Sequence, residues 1–217
     1  MAGNRIFAAI YDRLLAATEE AGLSDMRAEL LGSASGRTLE IGAGTGLNLA
    51  HYPDAVTALV LTEPDPHMAK RLRSRLQASP PTVGSVEVVE AGAGELPFED
   101  GSFDTVVGTL VLCTVRDPTR AVADIRRVLR PGGRFLYLEH VRDEAGTRRA
   151  GWQDRVERPW AWVAGGCHPN RDTGRLIASA FEVAEPQRGE LPGSGIEYIV
   201  KPLIRGVAAS GGSGAGR

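Results

Sequence analysis

The segment "LEIGAGTGLNL", residues 39–49, is the most informative part of this chain for its fold class. A short apolar segment runs into three glycines at alternate positions, Gly42, Gly44 and Gly46. Glycines directly after a strand let the backbone approach a nucleotide closely, and they allow φ angles that other residues avoid. The stretch therefore predicts the first strand of an α/β nucleotide-binding fold and the ligand loop that follows it.

The spacing of the glycines excludes two common nucleotide sites. A dinucleotide fingerprint needs a small residue at the third conserved position, where this chain has Leu47. A phosphate-binding loop needs a Gly-Lys-Ser/Thr run, which the stretch does not contain. Glu40 stands at the entrance of the loop instead, and a carboxylate there suits a ligand that carries positive charge.

Strand and helix patterns alternate along the rest of the chain. Strands are predicted within 37–41, 57–64, 85–91, 101–115 and 134–141, and helices over 5–20, over 66–79 and from Pro118 to Leu129 with Asp117 as the N-cap. The segments "FEVAEPQR" (181–188) and "EYIVKP" (197–202) predict a terminal hairpin. This order predicts an α/β, Rossmann-like three-layer sandwich with a seven-stranded, mostly parallel sheet and a C-terminal antiparallel hairpin.

We expect a single domain over 1–208, followed by a flexible tail over 209–217. Within the domain, 1–32 is predicted to form an N-terminal helical lid. Residues 37–141 are predicted to form the ligand-binding core, and 142–208 an acceptor-side segment with the terminal strands.

Composition narrows the class of protein. A net charge of −2 gives no reason to expect nucleic acid as a partner. Two cysteines are too few for a disulfide scaffold, which predicts a cytoplasmic location. No apolar run has the length of a membrane span, so no integral membrane segment is expected. The oligomeric state is not indicated.

A second acidic residue supports the ligand interpretation. Glu63 ends the second predicted strand about twenty residues after the loop, where a carboxylate can accept hydrogen bonds from ribose hydroxyls. The alternative is that Glu40 and Glu63 merely end two strands in solvent. Their spacing, together with the three glycines, favours the ligand interpretation.

Four segments resemble the class I S-adenosylmethionine-dependent methyltransferases. They are "LEIGAGTGLNL", "LTEPDPHM", "ELPFEDGSFDTVVGTLVLCTV" and "RRVLRPGGRFLYLEHV", which occur in this order between Thr38 and Val141. The resemblance implies S-adenosyl-L-methionine as cofactor, with S-adenosyl-L-homocysteine as the product. It implies that the glycine loop packs against methionine and ribose, that Glu63 binds the ribose, and that the adenine lies near Ala93. Gly92 stands where the family often has Asp.

The cofactor contacts that this resemblance implies fall in the matched segments. They are Glu40, Gly42, Ala43, Gly44, Gly46, Asn48, Glu63, Pro64, Met68, Gly92, Ala93, Gly94, Thr109, Leu110 and Cys113.

The segments "TLVLCTV", "LEHV" and "GGCHPNRDTG" resemble more narrowly the methyltransferase-like thiol S-methyltransferases, which methylate small molecules. The resemblance implies a small-molecule acceptor with a thiol. Two alternatives stay open: C- or O-methylation of a quinone or phenol-like molecule, and a module that binds S-adenosylmethionine as a sensor. A thiol acceptor needs no strong base, because a free thiol with a pKa of ~8.5 is already partly ionised near neutral pH.

Two histidines are candidates for taking the acceptor's proton, His140 and His168; the alternative for each is a hydrogen-bonded structural imidazole. The candidate acceptor pocket comprises Phe7, Tyr11, Trp152 and Trp160, which can equally be ordinary core residues. No His, Asp and Glu residues have the spacing of metal ligands, so no metal site is expected.

Overall fold

Parallel strands at the centre of the molecule confirm the predicted fold class. The computed structural model describes residues 5–193 and 196–211. Within this part, the strands are β1 Gly36–Ile41, β2 Val56–Thr62, β3 Val86–Val89, β4 Phe103–Thr109, β5 Leu129–His140, β6 Glu182–Val183, β7 Gln187–Glu190 and β8 Pro202–Ala209. The helices are α1 Arg5–Thr18, α2 Ser24–Leu31, α3 Pro66–Ala78, α4 Pro118–Val128, α5 Arg148–Val163 and α6 Thr173–Ala178.

The sheet has the order β3-β2-β1-β4-β5-β8-β6, and β7 also pairs with β8. Strands β1 to β5 run parallel, whereas β8 runs antiparallel to β5, β6 and β7. The carboxyl ends of β1, β2, β4 and β5 therefore meet at one edge, and ligands of open α/β sheets bind at such an edge.

Side chains at alternate positions of a strand point to opposite faces of the sheet, and both faces are buried. Phe135 and Tyr137 pack into a cluster that includes residues of α4 and α6, while Leu136 and Leu138 pack into a second cluster that includes residues of α2 and α3. This arrangement gives the three layers that the sequence predicts.

Local signals set the helix starts. The Asp65 side chain accepts from the N–H of His67 at 2.8 Å, ahead of Pro66 in the first turn of α3. Asp117 accepts from the N–H of Arg120 at 3.0 Å at the start of α4, as predicted from the Asp-Pro pair.

The C-terminal segment differs from the prediction. Residues 196–199 form a 3₁₀ turn instead of a strand, and the strand next to β5 begins only at Pro202. This strand pairs with β5 from His140↔Leu203 to Arg134↔Ala209, so long-range pairing with an open sheet edge decides its position. The segment 181–188 contributes to two short strands, β6 and β7, which flank Pro186; proline has no N–H to donate to a ladder.

The predicted tail also begins too early. Ala209 ends β8, and Ser210 is buried, with its hydroxyl donating to the carbonyl of Arg130 at 2.7 Å. The rest of the predicted tail after Gly211 lies outside the described residues. The predicted division into lid, core and acceptor-side segment stays a prediction. No helix in the described ranges has the length and apolar character needed to cross a bilayer.

Candidate active site

The glycine loop follows β1 at the carboxyl edge of the sheet. All three glycines have positive φ angles: +59° at Gly42, +58° at Gly44 and +86° at Gly46. A Cβ at Gly42 would lie 2.2 Å from Val111, and one at Gly46 would lie 2.7 Å from Leu72. At Gly44 a Cβ would meet only a carbonyl oxygen at 4.0 Å. Gly42 and Gly46 therefore permit close packing of the protein, whereas Gly44 presents its backbone to open space.

Glu63 ties the end of β2 to this loop. Its Oε2 accepts from the N–H of Gly44 at 2.8 Å, and its Oε1 accepts from the N–H of Asp65 at 2.8 Å. Burial raises the pKa of Glu63, which is 7 % exposed. Each carboxylate oxygen can accept more than one hydrogen bond, so Glu63 can hold the loop and still accept from a ligand hydroxyl.

A buried polar network surrounds Glu40. Its Oε1 accepts from Asn48 Nδ2 at 2.9 Å, and its Oε2 accepts from the Tyr52 hydroxyl at 2.6 Å. Burial raises the pKa of Glu40 to about 7. Glu40 is therefore not a strand end in solvent, since its carboxylate lies inside the protein with both oxygens hydrogen-bonded.

Arg27 brings a positive charge into the same network. This side chain of α2 is 3 % exposed, and its Nη1 donates to Asn48 Oδ1 at 3.0 Å and to Thr109 Oγ1 at 2.9 Å. Its Nη2 lies 3.0 Å from Glu19 Oε1. Arg27 and Glu40 thus place opposite charges in one pocket, bridged by Asn48.

A cleft opens beside this network. It is lined by Tyr11, Arg27, Glu40, Gly42, Ala43, Gly44, Thr45, Leu47, Asn48 and Thr109. Helix α1 is held next to the cleft by Asp12, which accepts from Thr45 Oγ1 at 2.5 Å and from Arg75 Nη2 at 2.6 Å. The N-terminal helix is therefore anchored to both the glycine loop and α3.

The turn after β4 has a strained backbone. Leu110 has a φ of +57°, the one positive value at a non-glycine position among the described residues. Its N–H donates to the carbonyl of Leu138 at 2.8 Å. Glu139 Oε1 accepts from the N–H groups of Val111 and Leu112 at 3.1 and 3.0 Å. A buried carboxylate on β5 thus fixes the turn that leads to Cys113.

Cys113, His140 and Cys167 form a second buried cluster. Their ligand atoms all lie within 4.8 Å of one another, and His140 Nε2 is 3.0 Å from Cys167 Sγ. A hydrogen bond from Cys113, together with His140 and Trp160, outweighs burial and lowers the pKa of Cys167 to about 4. Burial lowers the pKa of His140, but its interaction with Cys167 leaves that pKa raised overall.

These three residues lie far apart in the sequence, and the expectation that the chain has no metal site stays a prediction. That expectation concerned His, Asp and Glu, whereas this cluster contains two cysteines. The three side chains come together because the segment after α5 meets the ends of β4 and β5.

His168 lies next to this cluster in a different environment. Its Nδ1 is 2.5 Å from Glu157 Oε1, and its side chain is 32 % exposed. Its backbone N–H donates to the Cys113 carbonyl at 2.9 Å. A carboxylate therefore orients the ring of His168, while the ring of His140 is oriented by a thiol.

The structure brings part of the predicted site together. Of the predicted cofactor residues, Glu40, Gly42, Ala43, Gly44, Asn48 and Thr109 line the cleft. Gly94 faces α4 instead, since a Cβ there would meet Arg120 at 3.4 Å, and the side chain of Glu95 pairs with Arg120. At Gly92 a Cβ would meet nothing within 4 Å, so the predicted adenine side is open.

The remaining predicted cofactor residues do not line the cleft: Gly46, Glu63, Pro64, Met68, Gly92, Ala93, Leu110 and Cys113.

The predicted acceptor residues separate into two groups. The rings of Phe7 and Tyr11 are 5.5 Å apart, and Phe7 packs so closely on Gly165 that a Cβ there would lie 2.8 Å from its ring. Trp160 donates from Nε1 to Cys167 Sγ at 3.2 Å. Trp152, by contrast, is 50 % exposed with the Arg155 guanidinium over its ring, and its place in an acceptor pocket stays a prediction.

Sequence reasoning missed Arg27, Tyr52 and Glu139. Arg27 precedes the sheet and has no motif around it, and Tyr52 lies in a loop after the glycines. Glu139 had a signal, because it is a carboxylate next to His140 in a strand that otherwise reads as apolar.

Comparison with known proteins agrees with this geometry. Residues 39–137 match the family described as "Methyltransferase domain". The chain is 37 % identical to thiol S-methyltransferase TMT1B of Homo sapiens over 182 residues, which cover 82 % of this chain and 73 % of that protein. It is 32 % identical to thiol S-methyltransferase TMT1A of Homo sapiens over 203 residues, covering 93 % and 82 %.

A solved structure confirms the fold. The S-adenosylmethionine-dependent methyltransferase of Thermotoga maritima, described as a possible histamine N-methyltransferase, superposes with a TM-score of 0.64 at 23 % identity, covering 93 % of this chain and 96 % of that one. A likeness at this identity shows the fold alone. From the two human relatives and the matched domain, it follows that this chain belongs to the class I S-adenosylmethionine-dependent methyltransferases, in the family that includes the thiol S-methyltransferases.

Proposed function

We propose that this methyltransferase transfers the methyl group of S-adenosylmethionine to the thiol of small apolar molecules. The observation that carries the proposal is the similarity to two thiol S-methyltransferases over most of the chain, including the segments around Cys113, His140 and Cys167. The fold does not choose between acceptors, because one fold hosts many reactions.

The cleft suits the charges of the cofactor. The methionine end of S-adenosylmethionine is a zwitterion, and Arg27 and Glu40 offer it a guanidinium and a carboxylate in one pocket. The backbone at Gly44 has room for the cofactor beside it, and Glu63 has acceptor capacity for ribose hydroxyls. These assignments make Arg27, Glu40, Gly44 and Glu63 the main cofactor-binding residues.

The chemistry requires position more than acid–base assistance. The acceptor sulfur attacks the methyl carbon in line as the carbon–sulfonium bond breaks, which yields a thioether and S-adenosylhomocysteine. The thiol proton goes to solvent. Holding the two reactants in line supplies much of the rate enhancement. Helix α1, anchored through Asp12 and carrying Phe7 and Tyr11, provides apolar surface that excludes water next to the cleft.

Matched acceptor pairs test the proposal. Purified protein is incubated with labelled S-adenosylmethionine and pairs that differ only in sulfur or oxygen, such as thiophenol with phenol and benzyl thiol with benzyl alcohol. Quinones form a third set. We expect S-methyl products by mass spectrometry from the thiols alone, and less product from a Glu63→Ala variant at limiting cofactor.

Two other outcomes of this experiment would support the alternative functions. Turnover of phenols or quinones without turnover of thiols would show an O- or C-methyltransferase. Calorimetric binding of S-adenosylmethionine without turnover of any acceptor would indicate a sensor.

A further inference from the structure

The cluster of Cys113, His140 and Cys167 has the composition and spacing of a metal centre. Two thiols and one imidazole place three donor atoms within 4.8 Å of one another, all in buried side chains. A tetrahedral zinc ion with bonds of about 2.0–2.3 Å separates its ligand atoms by roughly 3.5–4 Å. The contact of 3.0 Å between His140 Nε2 and Cys167 Sγ needs only a small expansion to reach that range.

We propose that Cys113, His140 and Cys167 bind one thiophilic divalent cation of the zinc type, whose open coordination position takes the sulfur of the acceptor. Soft thiolate and imidazole donors select such cations over magnesium or calcium. Three protein ligands with a free fourth position are typical of catalytic zinc, whereas structural zinc sites have four. No fourth His, Cys, Asp or Glu joins this group in the part of the chain that the structure describes.

The surroundings support an ion at this place. Trp160 donates to Cys167 Sγ at 3.2 Å, and supporting hydrogen bonds of this kind orient metal ligands.

The chain connects the cluster to the cleft on two sides. Cys113 follows Thr109, a cleft residue, by four positions. On the other side, Phe7 stacks with Tyr11 of the cleft and packs on Gly165, two positions before Cys167. The same helix therefore contacts the segment that carries a cluster ligand and contributes to the wall of the cofactor cleft.

The role of the open position rests on the proposed function. An acceptor thiol would lose its proton to solvent as its sulfur joins the cation, since a coordinated thiol is deprotonated. The bound thiolate would then form the new bond to the methyl carbon while the sulfonium releases S-adenosylhomocysteine. A cation at this site thus favours the thiolate at a pH where a free alkyl thiol is largely protonated.

Cobalt titration tests the site without measuring activity. Metal is removed with a chelator under reducing conditions, and Co²⁺ is added to the full chain. Cys113 and Cys167 are the two cysteines of the sequence, so any thiolate-to-cobalt charge-transfer band comes from them. We expect a band that saturates at one cobalt per chain, with the intensity of two thiolates. Saturation without this band would overturn the proposal.

Variants identify the ligands. Cys113→Ser and Cys167→Ser should each halve the band intensity per bound cobalt and weaken binding by more than about 100-fold, and His140→Gln should weaken binding similarly. Trp160→Phe should weaken binding by about 10–100-fold, the usual effect of losing a supporting residue. The matched control is His67→Gln on α3, which should bind as the wild type does. Wild-type affinity in His140→Gln would overturn the ligand set.

A thiol titration tests the open position. Benzyl thiol added to the cobalt-loaded protein should increase the charge-transfer band, because a third thiolate joins the ion, and benzyl alcohol should not. An unchanged spectrum would overturn the acceptor role. The proposed function fails separately: thiols that bind cobalt without being methylated contradict that function alone, and methylation by a protein that binds no metal contradicts the metal site alone.

Discussion

Arg27 donates to Asn48 at 3.0 Å, and Asn48 in turn donates to Glu40 at 2.9 Å, so a helix that precedes the sheet is hydrogen-bonded to the strand that carries the glycine loop. The same guanidinium pairs with Glu19 in the turn between α1 and α2. The N-terminal segment is therefore joined to the cleft beside the glycine loop by buried, charged hydrogen bonds in addition to apolar packing.

Arg27→Leu should destabilise the protein strongly. The change leaves Glu19 without its partner in a mostly buried site, and breaking buried ion pairs costs about 3–5 kcal/mol. Urea denaturation should show a loss of this order, and calorimetry should show weaker cofactor binding. The control Arg73→Leu breaks an exposed pair with Glu90 and should cost less than ~1 kcal/mol. Equal losses in both variants would contradict the role of Arg27.

Glu63→Ala should weaken binding of both S-adenosylmethionine and S-adenosylhomocysteine. The expected loss is ~1–3 kcal/mol, the scale for hydrogen bonds that involve a charged group. Isothermal titration calorimetry measures it, with Glu87→Ala on the exposed face of β3 as the control. Unchanged affinity in Glu63→Ala would remove this residue from the ribose site.

Gly42→Ala and Gly44→Ala should separate packing from ligand binding. Both positions have φ near +60°, so each alanine carries a strain of roughly 1–2 kcal/mol. Gly42→Ala adds a clash with Val111 and should lower the free energy of unfolding further, by ~1–3 kcal/mol. Gly44→Ala has room for its methyl in the unliganded protein and should lose mainly cofactor affinity. The prediction fails if Gly44→Ala is the less stable variant.

Glu40 should make the unliganded protein less stable as the pH rises. Its folded pKa of about 7 exceeds the ordinary value of 4.5, so its stabilising contribution is complete below pH 4.5 and is lost as the pH rises to about 7. This difference between the folded and the ordinary pKa corresponds to ~3 kcal/mol in the free energy of unfolding. Glu40→Gln should remove this part of the pH dependence in denaturation curves measured across that range. An identical pH dependence of the free energy of unfolding in the wild type and in Glu40→Gln would contradict this prediction.

The parts of the fold set by local signals could be predicted from the sequence. Asp117 and Pro118 marked the start of α4, and the glycines marked the end of β1. Strand β8 could not be located this way, because its position depends on pairing with β5, whose sequence lies some seventy residues earlier. The residues of the site show the same difference between local and long-range signals. Glu40 and Asn48 lie in the glycine motif and could be predicted, whereas the contact of Arg27 with Thr109 joins residues 82 positions apart in the sequence.

The left-handed backbone at Leu110 bears on ligand binding at the carboxyl edge of the sheet. A non-glycine backbone with a φ of +57° destabilises the folded protein by roughly 1–3 kcal/mol. The turn persists because the Leu138 carbonyl and the Glu139 carboxylate accept hydrogen bonds from its N–H groups. The free energy of folding offsets this strain before any ligand binds. Because this turn is already in place, binding a ligand beside it does not have to order it, and the conformational entropy that a mobile loop would lose is not subtracted from affinity.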